Sequence, residues 1–398
     1  MSIFNSLGSN YDLGFVFKTL FVGGDLKDSE KLKSFLNKKY EGVSILTYKG
    51  REAILLALQL LNLPAHSIVA INGYTCFAVF KAITDANLKV EYLDINDSLN
   101  FSTETFINHL RQNSKIKVLI IQNTLGYPSD IEEIVKVCKE RNIILIEDLA
   151  HSIGAKYLNG VEAGTVGDFV ILSFSQDKMI DGVSGGALII RNKDFQNTDF
   201  KLEKLPFKQQ LVDRLYPFFT YIVRLTYSIF IGKIIHWNLK NFKLLSNPMG
   251  SGNSNLIHAL PSWYTKLIYD EFQKLSDNLQ HRQEISKTYL ESLNTSLVPT
   301  FVYEQIFDST NLRFPIIIGK RDSLIKYLKT KGIYVSDIWY DAPIAPKKYM
   351  RLSSYQEGIC KMAEVVSGKI LNLPTHKNIS VSSAKKISKI INQWLQSQ

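Results

Sequence analysis

Between residues 50 and 195 the chain alternates two kinds of apolar spacing. Residues 51–61, 75–87 and 103–112 are rich in strong helix formers and predict helices. A further helix is expected over 130–141, with Ser129 placed to cap it. Between the helices run short, almost unbroken apolar stretches at 67–72, 89–94, 116–122, 142–147, 168–173 and 186–191. An apolar run without alternation is a strand buried on both faces, and strands separated by helices pair in parallel. The expected class is therefore α/β, a mainly parallel central sheet covered by helices. Ligands in such sheets sit at the carboxyl ends of strands. Asn72, Asn123, Asp148 and Ser173 stand at such ends.

The pattern changes from about residue 195 to 260. The segment 215–235, LYPFFTYIVRLTYSIFIGKII, is heavily apolar. Thr220, Arg224 and Ser228 recur every fourth residue, one narrow polar stripe on a helix. Three placements are open. One is a helix buried in the core or in a dimer interface. Another is a helix lying on a membrane surface, supported by the flanking Arg214, Lys233, Lys240 and Lys243. The third is a membrane span, which would bury Arg224 at a cost of about 2.5–3.5 kcal/mol. Residues 265–300 read as a long helical stretch. From Leu312 the order is strand, helix, strand, loop, helix, with Ser382 or Ser383 capping the last helix. This suits a large domain over 1–245, with an apolar insert near 205–245, and a smaller C-terminal α/β domain over 246–398.

Composition narrows the classes. The 398 residues are 45% hydrophobic and 21% charged, ordinary for a soluble globular protein. Cys76, Cys138 and Cys360 lie far apart, without the spacing of a zinc site or disulfide frame. The first ten residues lack the basic and apolar regions of a secretory leader, so a cytoplasmic protein is expected, with membrane association through 215–235 left open. The formal net charge of +10 is spread along the chain without a basic motif, and no nucleic-acid partner is expected. His66, His236 and His281 read as surface or packing residues, as do Trp263 and Trp339, although Trp339 also suits a sugar site. The glycosylation sequons at Asn100, Asn294 and Asn378 carry no weight in a cytosolic chain.

Chemistry concentrates in two places. The strand ending at Glu147 leads into Asp148-Leu149-Ala150-His151, and the strand ending at Ser173 leads to Lys178, with Gly182, Gly185 and Gly186 beyond. An acidic residue leaving a strand is by itself a helix cap or salt-bridge partner, and a lone loop lysine is solvated. Together, past strands of one sheet, they reach one crevice. Pyridoxal phosphate needs this pair. A lysine amine forms an imine with its aldehyde, and the released lysine then shuttles a proton. A carboxylate keeps the ring nitrogen protonated, which makes the ring an electron sink. Its phosphate needs amides and hydroxyls at a helix N-terminus, for which Gly50-Arg51-Glu52-Ala53 and Ser173 are placed.

These motifs resemble the DegT/DnrJ/EryC1/StrS family of PLP-dependent sugar aminotransferases, of fold type I, over residues 45–395. The resemblance rests on Glu147-Asp148, His151 and Gly154, on Ser173-Phe174, Lys178 and Gly185-Gly186, and on Gly126-Tyr127-Pro128-Ser129-Asp130. Lys320-Arg321-Asp322, Gly332-Ile333, 360–364 and 371–376 continue it. It implies that Lys178 carries the cofactor and Asp148 meets the ring nitrogen. It further implies that Ser173 and the amides of Arg51 and Glu52 hold the phosphate, that Ala150 packs under the ring, and that His151 stands near the ring hydroxyl. The aromatic that stacks on the ring in the family falls at Cys76, with Tyr74 or Phe77 nearby. The family's asparagine from the partner subunit falls near His258. The greasier 205–245 stretch and the 337–341 loop DIWYD also depart from the family.

The resemblance implies a homodimer moving an amino group from glutamate or glutamine to a keto group of a nucleotide-activated sugar or related precursor of surface polysaccharide. Sugar dehydratases of the family typically lack the lysine, so Lys178 favours transamination. Two alternatives stand beside it: a PLP enzyme acting on a lipid-linked acceptor, and a silent binding or regulatory protein keeping the fold.

Overall fold

The computed structural model describes residues 2–198, 200–242, 244–245, 256–335 and 340–398. Seven apolar strands build the central sheet: β1 (Val43–Thr47), β2 (Ile68–Asn72), β3 (Lys89–Leu93), β4 (Ile116–Gln122), β5 (Ile144–Asp148), β6 (Phe169–Ser173) and β7 (Gly186–Ile190). Their order is β1-β7-β6-β5-β4-β2-β3. The strands from β3 to β6 pair in parallel, and β7 runs antiparallel to both β6 and β1. Successive residues serve opposite faces. Val118, Ile120 and Ile171 enter one hydrophobic core, while Leu119, Ile121 and Leu172 enter the other. Both faces are thus covered, as unbroken apolar strands require.

The five helices that bear on function are α1 (Leu13–Phe21), α2 (Gly50–Leu60), α3 (Phe77–Asp85), α4 (Phe207–Thr226) and α5 (Ile231–Asn241). The strand ends of β1, β4, β5 and β6 converge on one edge, and α2 starts there. Beyond residue 300, Phe314–Ile317 pairs antiparallel with Ile370–Leu373, while Ile3–Phe4 pairs in parallel with Ile333–Tyr334. The start of the chain is therefore spliced into its C-terminal part.

Three local expectations change. Residues 75 and 76 leave the expected 75–87 helix to form a short strand with Ile344–Ala345, because their backbone groups pair across the chain. Ser129 does not cap the following helix. That helix starts at Glu132 without a side-chain cap, and the Ser129 amide donates to Asn123 Oδ1 at 3.0 Å instead. The last helix, Val381–Gln396, is capped by Ser380, whose oxygen accepts from the Ser383 amide.

The apolar segment does not form one rod. It splits between α4 and α5 at Phe230, which has a φ of 65°. Among the described residues no helix is long and apolar enough to cross a membrane. Thr220 and Arg224 turn inward: Thr220 is fully buried, and the Arg224 guanidinium donates to the Tyr11 carbonyl at 2.7 Å. Ser228 lies past the helix end and is exposed.

One carboxylate organises the edge below the site. Glu147, 1% exposed, accepts from Tyr157 Oη at 2.7 Å and from the amides of Gly164, Val166 and Gly167 at 2.7–2.9 Å. These bonds dock the 157–167 loop onto β5, the strand that delivers Asp148. Glu147→Gln replaces an acceptor-only group by one that turns an N–H toward these donors. It is expected to cost about 2–4 kcal/mol and to lower the thermal unfolding midpoint by several degrees. An unchanged midpoint would show that the loop is held some other way.

Candidate active site

The sheet edge holds a cleft. It is lined from β1–α2 by Lys49, Gly50 and Arg51, from β4 by Gln122, from β5 by Asp148, Ala150 and His151, and from β6 onward by Ser173, Ser175, Gln176 and Lys178. Cys76 and Tyr340 complete the wall from distant parts of the chain. The structure thus brings Gly50, Arg51, Cys76, Asp148, His151, Ser173 and Lys178 together.

Glu52 stands apart. Its amide donates to the Lys49 carbonyl at 3.1 Å, within the first turn of α2. Its carboxylate accepts from the His258 amide at 2.9 Å and meets His258 Nδ1 at 3.2 Å. That contact raises the His258 pKa and holds His258 against Glu52 in its own chain. Asn72 and Asn123 also serve structure. Asn72 donates to the Leu99 carbonyl and to Thr124 Oγ1, and Asn123 donates to Ser152 Oγ. Tyr74 and Phe77 are not in the wall: the Tyr74 hydroxyl donates to the Tyr340 carbonyl, and Phe77 stacks on Tyr349. The aromatic that faces the cleft is Tyr340, whose hydroxyl accepts from Gln122 Nε2 at 3.1 Å. Asp337 and Trp339 lie outside the described residues.

Burial sets the electrostatics of the cleft. It pulls the Lys178 ammonium down to about 8, opposed by Cys76 and Asp148. The same cause raises the Asp148 carboxyl, opposed by the Ala150 amide at 2.9 Å and by Lys178. A carboxylate so desolvated is stabilised by a cation facing it. His151 is driven well below its ordinary pKa, first by burial and then by Lys178 and Arg313, so the ring is neutral. Its Nδ1 faces the Leu125 amide at 3.2 Å and must accept there, which puts the proton on Nε2. His151 is therefore a donor toward the cleft.

The β1–α2 corner is built for an anion. Lys49 is 4% exposed, and its ammonium donates to Ser184 Oγ at 2.8 Å and lies over the Tyr48 ring. Among the described residues no carboxylate pairs with it, and burial pulls it down to about 8. Gln176 Nε2 is buried without an acceptor among the described residues. A Cβ on Gly50 would lie 2.9 Å from the Ser173 Cβ, so only glycine lets the helix start approach that hydroxyl. Lys49, Gln176 and Gln122 were not singled out in the sequence, and Tyr340 was reached only as part of the 337–341 loop. Lys49 was nearest to legible, since it directly precedes the glycine that opens α2.

The loop bearing Lys178 is pinned from behind. Asp181 accepts from Asn10 Nδ2 at 3.0 Å, Tyr11 Oη at 2.8 Å and the amides of Asp177 and Val183. Burial and the nearby Asp177 push Asp181 up to about 7. Ser9 Oγ donates to Asp177 at 3.1 Å.

A family model described as the DegT/DnrJ/EryC1/StrS aminotransferase family matches residues 28–225 and 265–392. A dTDP-3-amino-3,6-dideoxy-alpha-D-galactopyranose transaminase from Aneurinibacillus thermoaerophilus is 24% identical over 376 residues, 94% of this chain and 91% of its own. A pleiotropic regulatory protein from Geobacillus stearothermophilus is 24% identical over 332 residues, 82% of this chain and 77% of its own. Among solved structures, Helicobacter pylori PseC, an aminotransferase involved in the biosynthesis of pseudoaminic acid, superposes with a TM-score of 0.74 at 15% identity, covering all of both chains.

Reductive ¹³C-methylation of the cofactor-stripped chain should reveal two dimethyl-lysine signals that titrate near about 8. Lys49→Met and Lys178→Met should each delete one. Titration of both with the bulk lysines near about 10.4 would refute the desolvated pair.

Proposed function

The chain belongs to the DegT/DnrJ/EryC1/StrS aminotransferase family, PLP-dependent enzymes, and we propose that it moves an amino group from glutamate or glutamine to a keto group on a nucleotide-activated sugar. The observation that carries the reading is the meeting of Lys178, Asp148 and the buried Lys49 in one cleft. The dTDP-sugar transaminase similar over nearly the whole chain supports the acceptor class.

The residues fit pyridoxal phosphate. Lys49, Arg51, Gly50, Ser173 and Gln176 would hold its phosphate, where the unsatisfied Gln176 donor and the buried Lys49 call for an anion. Asp148 would face its ring nitrogen, His151 Nε2–H its ring hydroxyl, and Lys178 would attach it. When bound, the cofactor supplies an electron sink that stabilises negative charge on the substrate carbon.

The chain's own part is proton and charge control. With its pKa near 8, Lys178 Nζ is in reach of the deprotonated state at neutral pH, the form able to attack a carbonyl carbon. Once displaced by the amino donor, that nitrogen can take the proton from the donor's α-carbon and return it to a neighbouring carbon. Burial disfavours the charged form of Asp148, so a cation facing it would strengthen that charge. Arg51 and Lys49 would offset the charge of the cofactor's phosphate and hold that end still. The similar protein named as regulatory suggests a silent scaffold. The intact Lys178–Asp148 pair favours catalysis.

Two variants test this. Lys178→Ala should lose borohydride-trappable cofactor, read as intact mass. Lys49→Met should keep the attachment but weaken cofactor affinity on the order of tenfold, as loss of one charge-assisted contact implies. In the wild type the rate of covalent attachment should rise with pH through about 8, because the attacking amine loses its proton there. Trapping in Lys178→Ala equal to wild type would overturn the assignment of Lys178. Failure of a dTDP-keto-sugar to accept nitrogen from a glutamate-loaded enzyme would overturn the acceptor class alone.

A further inference from the structure

The helices α4 and α5 leave much of their apolar surface uncovered. Thr220 and Arg224 face the interior together with Tyr216, Val223 and Leu239, while a second set of apolar side chains faces out. At the turn and along α5, Leu225 is 53% exposed, Ile229 61%, Phe230 65%, Ile231 50%, Ile234 62% and Trp237 63%. The neighbouring α1 adds a stripe of its own at Leu13, Phe17 and Phe21. So large an apolar surface is out of place facing water.

Its charge decides what covers it. Between residues 207 and 242 the sequence holds Lys208, Arg214, Arg224, Lys233 and Lys240 against one acid, Asp213. Asp213 is fully buried and takes the Tyr48 and Tyr264 hydroxyls. On α4 and α5 themselves the exposed face therefore carries lysines and no carboxylate. Lys233 leans over the Phe230 ring, 4.0 Å from its centre, and Lys240 is exposed. In a two-fold contact the same patch lies on both sides, so two surfaces of like net charge would be brought together. A surface of anionic lipid offers the opposite charge with an apolar layer beneath it.

We propose that the α4–α5 hairpin is a peripheral membrane anchor that seats Phe230, Ile234 and Trp237 in the interface of an anionic bilayer, with Lys233 and Lys240 on its headgroups. This placement is independent of the reaction in the cleft. It holds the enzyme beside the membrane without crossing it.

The test uses the full-length, cofactor-loaded protein. It should sediment with vesicles of phosphatidylcholine containing phosphatidylglycerol, weakly with phosphatidylcholine alone, and less as salt rises. Lys233→Gln with Lys240→Gln should lower partitioning on the order of tenfold or more. Ile234→Ala with Trp237→Ala should lower it by a similar factor. Both variants should keep the cofactor's visible absorbance and the wild-type mass in light scattering, which separates lost docking from lost folding. Brominated lipid should quench wild-type fluorescence, and Trp237→Phe should lose that quenching. Absence of sedimentation with anionic vesicles would overturn the proposal. So would variants that bind vesicles as before, or that fall from dimer to monomer, since the face would then belong to a second copy.

Discussion

The cleft depends on keeping two ammonium groups and a carboxylate out of water. Desolvation is the largest influence on Lys49, Lys178 and Asp148, and it acts on each against the charged form. The two lysines are pulled down to about 8 and Asp148 is pushed up. Such a site is uncomfortable when empty. Its charges gain their full value only against a ligand that carries an anion at one end and a cation at the other, in surroundings of low dielectric. Burial thus supplies reactivity and selectivity at once. The amine that must attack is near neutrality, and the charges that must grip become firm only when gripped.

Desolvated charge needs a rigid frame, because it would relax toward water if the walls moved. The frame comes from the sheet. Alternate residues of β4 to β7 fill two separate cores, so the strand ends cannot slide without disturbing both. Glu147, one residue before Asp148, converts the loop that follows into part of the same body through four hydrogen bonds. Asp181 does the same for the loop of Lys178, through residues 10 and 11 of the chain's own beginning. The glycine approach at Gly50 then sets the anion corner against β6.

Whatever depended on periodicity or on one local segment was legible in the sequence. The strands 116–122 and 169–173 follow from unbroken apolar runs, and Asp148 and Lys178 follow from their places after strands. What lay beyond reading was set by pairing at long range. Residues 75 and 76 look helical but are claimed by Ile344–Ala345 across the chain. Tyr340 enters the cleft from more than 150 residues past Lys178, so no local pattern announces it. Lys49 reads as an ordinary loop lysine until the fold buries it beside Ser184. The Glu52 side chain, for which the motif gave no role, is taken up by a histidine 206 residues away.

The 215–235 segment shows how an accurate pattern can leave its direction undecided. Its period marked a polar stripe on an apolar helix, and an apolar majority normally faces the core. Here the neighbours reverse the choice. The Tyr11 carbonyl takes Arg224, and Asp213, at the root of the same helix, binds Tyr48 beside the Lys49 corner. The polar residues were needed inside, to tie α4 to the body of the enzyme. A second apolar set, from Leu225 to Trp237, was left outside. A helix that spends its polar contacts inward while leaving apolar side chains outward is one whose outer face suits an apolar neighbour better than water.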